Sequence, residues 1–104
     1  MGGYDFYSRV EELQELAFLD ESADWETDYF GIYYDFKNEK FSFISACGCS
    51  CWGGEYEEIQ TNSLFSLLDE VKNHENVCIL PSEFGTNWLF EEAEKTWNDI
   101  KDSI

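Results

Sequence analysis

Positive charge is what this sequence has least of. Six Lys and Arg stand against 23 Asp and Glu in 104 residues, a net charge of −17. A chain so charged repels phosphate, which excludes nucleic acid and anionic membrane surfaces as direct partners. A basic protein surface is the natural one. Histidine is nearly missing too, His74 being the single one. It falls near the end of a polar helix, and neither Ser45 nor Ser50 has a base or an orienting acid placed beside it, so no nucleophilic constellation is visible. A glycine loop for phosphate, walled by strand and helix, is also missing; Gly48, Gly53 and Gly54 read as turn markers. Carboxylates are so abundant that no one pair is singled out for acid–base work or Mg2+. These gaps predict a protein that is not an enzyme and holds no cofactor.

Long apolar runs are absent, and nothing reaches the roughly eighteen residues of a membrane span. The start, Met1-Gly2-Gly3-Tyr4-Asp5, has no basic region followed by an apolar stretch, so a soluble, cytoplasmic protein is expected. Internal repeats and low-complexity tracts are absent as well. The length fits one domain, residues 1–104.

Apolar residues are plentiful by contrast, at 43%, and aromatics reach 18%, which argues against disorder and for a packed core under an acidic coat. Phe6, Val10, Leu13 and Leu16 or Ala17 recur at three- and four-residue steps, with Glu11, Glu12 and Glu15 opposite. That spacing predicts an amphipathic helix over Phe6–Asp20, capped by Asp5 or Ser8. An acidic connector follows, carrying Glu21, Asp24, Trp25, Glu26 and Asp28. Tyr29–Phe36 and Phe41–Cys47 are aromatic, β-rich runs separated by Lys37-Asn38-Glu39-Lys40, a β-hairpin pattern. Phe30, Ile32, Tyr34 and Phe36 share one face of its first strand. On the second strand either Phe41 and Phe43 or Ile44 and Ala46 face the core.

Glu55–Gln60 alternates weakly as a third strand. Thr61 or Asn62 can cap a helix over Ser63–Asn73 whose apolar side is Leu64, Leu67, Leu68 and Val71. Val77–Leu80 is a brief buried strand or an apolar linker, ended by Pro81. A last helix begins at Thr86 or Asn87 and buries Leu89, Ala93, Trp97, Ile100 and Ile104. The fold expected is α+β: a small antiparallel sheet of two to three strands packed against two to three helices.

The charge has a measure. A folded chain of this length spans roughly 35 Å. Duplex DNA carries about twenty phosphate charges over that distance. Carboxylates three or four apart on a helix stand about 5–6 Å from one another, and those two apart on a strand about 6.6 Å, both comparable to phosphate spacing. Glu11 with Glu15, Glu91 with Glu94, Glu55 with Glu57, and the series Asp24, Glu26, Asp28 meet that geometry. These nine residues are the candidate contact set for a basic nucleic-acid cleft. Trp25, Trp52 and Trp88, with Tyr29 and Tyr56, lie near charge runs or turns and are candidate aromatic anchors within the acidic rim. A solubilising charge surplus, an immunity protein that neutralises a basic toxin nuclease, and a subunit docking a basic partner are the competing readings.

The four cysteines pair poorly as a disulfide scaffold, since Cys47, Cys49 and Cys51 sit within five residues; reduced thiols are expected. With His74 and Cys78 they form the candidate metal ligands of a small zinc-stabilised structural or interaction protein. Alternate thiols on an extended chain are about 6.6 Å apart. That is too wide for one tetrahedron unless Gly48 and Gly53 bend it. Small side chains filling a narrow part of the core beside Trp52 is the favoured reading, with no metal bound.

The segment Gly48-Cys49-Ser50-Cys51-Trp52-Gly53-Gly54 after an aromatic hairpin resembles small phage-encoded proteins. In size and charge the chain is similar to phage anti-restriction and anti-CRISPR inhibitors that imitate DNA. The resemblance implies a DNA mimic acting in the host cell, an inhibitor seated in the DNA- or PAM-binding cleft of a defence nuclease. It assigns no role to any particular residue.

Overall fold

The computed structural model describes residues 6–22, 27–48, 56–73 and 83–103. A short helix, α1 (Phe6–Glu11), leads into strands β1 (Gln14–Asp20), β2 (Thr27–Asp35), β3 (Lys40–Gly48) and β4 (Glu57–Thr61). Helices α2 (Leu64–Asn73) and α3 (Glu83–Ile100) follow, and a 3-10 turn over Lys101–Ser103 closes the chain. The strands form one antiparallel meander in the order β1-β2-β3-β4. The architecture is α+β as expected, with four strands in the sheet rather than two or three.

The hairpin explains itself most simply. Asp35 pairs with Lys40 across the ladder, and Phe36-Lys37-Asn38-Glu39 make the turn. One Asp35 carboxylate oxygen accepts from the backbone N–H groups of Lys37 (3.0 Å) and Asn38 (3.2 Å), a local bond that short acidic side chains favour in turns. Glu39 closes the turn in the left-handed region, at φ 53°. Phe36 lies in this turn and is half exposed, so it leaves the strand face on which Phe30, Ile32 and Tyr34 sit.

Both pairs of candidate core residues on β3 are buried, on opposite faces. Phe41 and Phe43 join Phe30, Ile32, Leu16 and Ala17 beneath the helices, against Leu67, Val71, Leu89, Phe90 and Ala93. Ile44 and Ala46 join Phe6 and Tyr33 on the other face, with Val10, Leu13, Phe18, Tyr29 and Tyr56 around them. Alternation along a strand sends consecutive residues to opposite sides, so a sheet buried on both faces reads as a nearly continuous apolar run.

The predicted helix over Phe6–Asp20 ends at Glu11, and its second half is strand β1. Backbone bonds from Glu12 to Arg9 and from Leu13 to Val10, both 3.1 Å, wind the last turn down. The register along β1 slips between Glu15 and Ala17, a bulge that turns both Leu16 and Ala17 toward the helices. That slip imitates helical spacing in the sequence. Pairing with β2 decides the conformation instead, because six residues of helix have little stability of their own.

Gly31 is required by its neighbour. The Tyr33 ring lies over it, and a Cβ at position 31 would come within 2.5 Å of Cε2 and 2.6 Å of Cζ. Ser63 caps α2: its hydroxyl accepts from the Ser66 N–H at 3.1 Å, while its carbonyl accepts the first helical bond from Leu67 at 3.0 Å. The cap is therefore Ser63, not Thr61 or Asn62. Helix α3 starts at Glu83, three residues before Thr86, whose side chain is buried rather than capping. The predicted cap Asp5, the Val77–Leu80 segment and Ile104 lie outside the described residues.

Candidate functional site

Six cations are all that offset the acidic surface. Arg9 faces inward. Its Nε and one terminal nitrogen each donate to Glu58 at 2.7 Å, a bidentate pair, and the same terminal nitrogen reaches Asp35 at 3.3 Å. Ser42 donates to Glu58 at 2.7 Å, and the Gln60 amide donates to Asp35 (3.0 Å) and Ser42 (2.9 Å). Asn38 completes the group with a 2.8 Å bond to Asp35. Residues 35, 42, 58 and 60 fall on the sheet face away from α2 and α3, where the ladder aligns Tyr33 with Ser42, Ser42 with Gln60, and Ile44 with Glu58. Among the described residues no buried side-chain nitrogen or oxygen lacks a hydrogen-bond partner.

The electrostatics follow from that geometry. Burial pushes the Asp35 carboxyl up, but hydrogen bonds from Asn38, Gln60 and Arg9 outweigh it and bring it down to about 2. Hydrogen bonds to Glu58 hold the Arg9 guanidinium more firmly protonated, against its own desolvation. Burial, with the Glu15 charge adding to it, raises the Tyr33 phenol well above its ordinary range. With every member partnered, the cluster ties α1 to the sheet. Its residue types also remove the chain's only arginine from the surface.

Five lysines are left. Lys95 bridges to Glu92 at 3.1 Å and Lys40 donates to Asn62 at 2.7 Å. No Lys or Arg occurs between Arg9 and Lys37, a stretch with nine acidic residues. It includes the edge strand β1, on which Glu15 and Asp20 are exposed and beside which Glu11, Glu12 and Glu21 are exposed too. The base of the β1–β2 connection is tied by Glu21 N–H to Asp28 O (2.9 Å), Ser22 N–H to Asp20 (2.8 Å), and Asp28 N–H to the Ser22 hydroxyl (2.9 Å).

The nine candidate contact residues separate on this frame. Glu11 ends α1 and Glu15 lies on the edge strand β1 beyond a turn, so they are not one helical turn apart as their spacing predicts; both are exposed. Glu91 and Glu94 stay a turn apart on α3, both exposed, with Asp99 and Asp102 exposed further along. Glu57 is exposed on β4, and Asp28 is half-buried at the start of β2. Asp24, Glu26 and Glu55 lie outside the described residues.

Of the aromatic candidates, Trp88 is 39% exposed on α3, one turn from Phe84 at 81%. Tyr29 and Tyr56 are partly buried and pack against the smaller core cluster, Tyr29 lying on Phe6 and Phe18 at 5.5 and 5.6 Å between ring centres. Trp97 packs against the core with its ring 4.8 Å from Tyr34 and 4.9 Å from Phe41. Trp25 and Trp52 lie outside the described residues, as do Cys49, Cys51, Cys78 and His74. Cys47 contributes its backbone to β3 opposite Asp28. Among the described residues no three His, Cys, Asp or Glu side chains converge as a metal site. No described helix is long and apolar enough to cross a membrane.

Sequence reasoning missed the Arg9 cluster. The signal present was Arg9 itself, a lone arginine amid glutamates on an otherwise acidic helix, but its partners lie 26 and 49 residues away. Comparison with protein-family models, curated proteins and solved structures gives no match.

Proposed function

We propose that this protein is a stoichiometric inhibitor that enters the nucleic-acid cleft of a basic DNA-binding protein and holds it by carboxylates in place of phosphates. The observation that carries this reading is the stretch from Val10 to Phe36, which holds the edge strand β1 and contains no Lys or Arg. Five exposed acids flank and occupy β1, no lysine interrupts the stretch, and the arginine next to it is turned inward to Glu58 and Asp35. The longest dimension, 40 Å, matches a length of duplex bearing about 24 phosphate charges. The protein's net −17 is of that order.

Specificity falls to the aromatic pair on α3. Phe84 and Trp88, four residues apart, stand on one side of the helix with Glu91 a turn beyond, an apolar anchor next to an acidic rim. A defence nuclease of the host cell, met in the cytoplasm, is the target class implied by the chain's resemblance, in size and net charge alone, to small acidic phage inhibitors. Such a protein acts by occupancy and carries out no reaction itself.

Charge reversal tests the assignment. Tagged protein captures its partner from host lysate, and salt elutes it. Glu12→Lys with Glu15→Lys is expected to weaken capture by about a hundredfold and to flatten its salt dependence. Glu70→Lys, exposed on α2, serves as the control and is expected to change binding less than about threefold. Equal capture by wild type, the Glu12→Lys/Glu15→Lys double variant and Glu91→Lys would contradict the proposal.

A further inference from the structure

The helix layer carries a second surface of opposite character. Between α2 and α3 lies a groove of about 340 Å3 walled by Leu64, Leu68, Phe90 and Trp97. A shallower hollow of about 210 Å3 lies beside it, bounded by Leu68, Asp69 and Lys72. Phe65 belongs to both and stands between them as a fin, 82% exposed. An apolar cavity of about 150 Å3 already admits a benzene ring, so the larger groove has room for a phenyl side chain. The same face thus offers a phenyl knob and a hole that fits it.

Its charge is equally particular. The rim of the two hollows carries Glu94 and Asp69 together with Lys101 and Lys72, two of each sign. A second copy of this chain brings another −17, so copies can meet only where local charge cancels. The lining of the two hollows cancels, with Glu91, Asp99 and Asp102 exposed elsewhere on α3 and its following turn, whereas the stretch holding β1 has no cation at all. We infer that the α2–α3 groove is a self-association surface, with Phe65 of each copy inserted into the other's groove about a two-fold axis. A two-fold contact uses the same patch on both partners, which a knob beside its own hole satisfies. The product is two helix layers face to face, with a four-stranded sheet outside each and both β1 edges left free. A standard interface takes roughly 800 Å2 from each partner. That is about an eighth of the 6525 Å2 surface of one copy.

Salt gives this contact a signature that separates it from the proposed function. Binding to a cationic cleft weakens as salt rises; association of two polyanions through a neutral apolar patch strengthens. Sedimentation equilibrium of the full chain at about 50 and about 500 mM NaCl, from roughly 1 to 500 μM, reads it out. The expected result is a monomer–dimer equilibrium that tightens about tenfold at the higher salt. Phe65→Ala should weaken it by about tenfold or more. Because that ring is mostly exposed, the variant's thermal unfolding should match the wild type at a dilution where both are monomers, and Lys101→Glu should weaken the dimer by restoring repulsion. A monomer under all conditions, or a dimer indifferent to Phe65→Ala, overturns the inference. A strict monomer whose groove takes up an apolar fluorescent probe, lost in Phe65→Ala, also overturns it and assigns the groove to another apolar ligand.

Discussion

The two faces of the sheet are sealed by different chemistry. Under α2 and α3 the contact is apolar and continuous, from Leu16 and Ala17 on β1 through Phe30, Ile32, Phe43 and Phe41 to Leu67, Leu89 and Ala93. On the other face a smaller cluster of Phe6, Tyr33, Ile44 and Ala46 gives way to a polar one, Arg9 with Asp35, Glu58, Ser42 and Gln60. The first face tolerates exchange among apolar residues of similar volume; the second is specified by hydrogen-bond geometry. The difference teaches where the charge comes from. By sealing one face with its only arginine, the fold satisfies two inward carboxylates and leaves the acids of the neighbouring edge without an offsetting guanidinium.

The comparison breaks most severely at Leu67. Leu67→Ala removes a fully buried side chain from the helix-covered face and is expected to cost about 3–4 kcal/mol, read from the midpoint of urea unfolding. On the opposite face Arg9→Met keeps the side-chain stem but strands Glu58 and Asp35. The expected loss is about 2 kcal/mol, below the range for fully buried pairs because the Arg9 and Glu58 side chains are 17% and 16% exposed. A loss at Arg9 as large as at Leu67 would mean that the ionic cluster, not the apolar core, dominates the fold.

The pH dependence is the finest separation. Asp35 ionises at about 2 in the folded protein against 3.8 unfolded, so its contribution is fully present above pH 4 and disappears as pH falls through 2. The loss amounts to about 2 kcal/mol. Asp35→Asn is expected to remove that part of the acid dependence and to leave Leu67→Ala's penalty unchanged. Unfolding curves at pH 4, 3 and 2 decide it.

The sequence made the helix-covered face legible and the other face obscure, for a physical reason. The stripe Leu64, Leu67, Leu68, Val71 on α2 and the run Leu89, Ala93, Trp97, Ile100 on α3 are local periodicities, and the hairpin's two aromatic runs flank a short polar turn. All of these can be read within a window of a dozen residues. Strand β1 could not, because the bulge at Leu16–Ala17 gives an edge strand the spacing of a helix. The Arg9 cluster draws on four separate elements and the hairpin turn, and nothing in the sequence couples position 9 to position 58. The candidate site was legible as composition and as the acids of α3, whereas the placement of Glu15 on an edge strand rather than on a helix with Glu11 needed the strand pairing.

Competition with DNA bears most directly on the central claim. With the captured partner bound to a fluorescent duplex, titration of this protein followed by anisotropy is predicted to release the DNA completely, one protein per site, with both ligands weakened in parallel by salt. A stable ternary complex, in which duplex and protein are held together without mutual displacement, would contradict it.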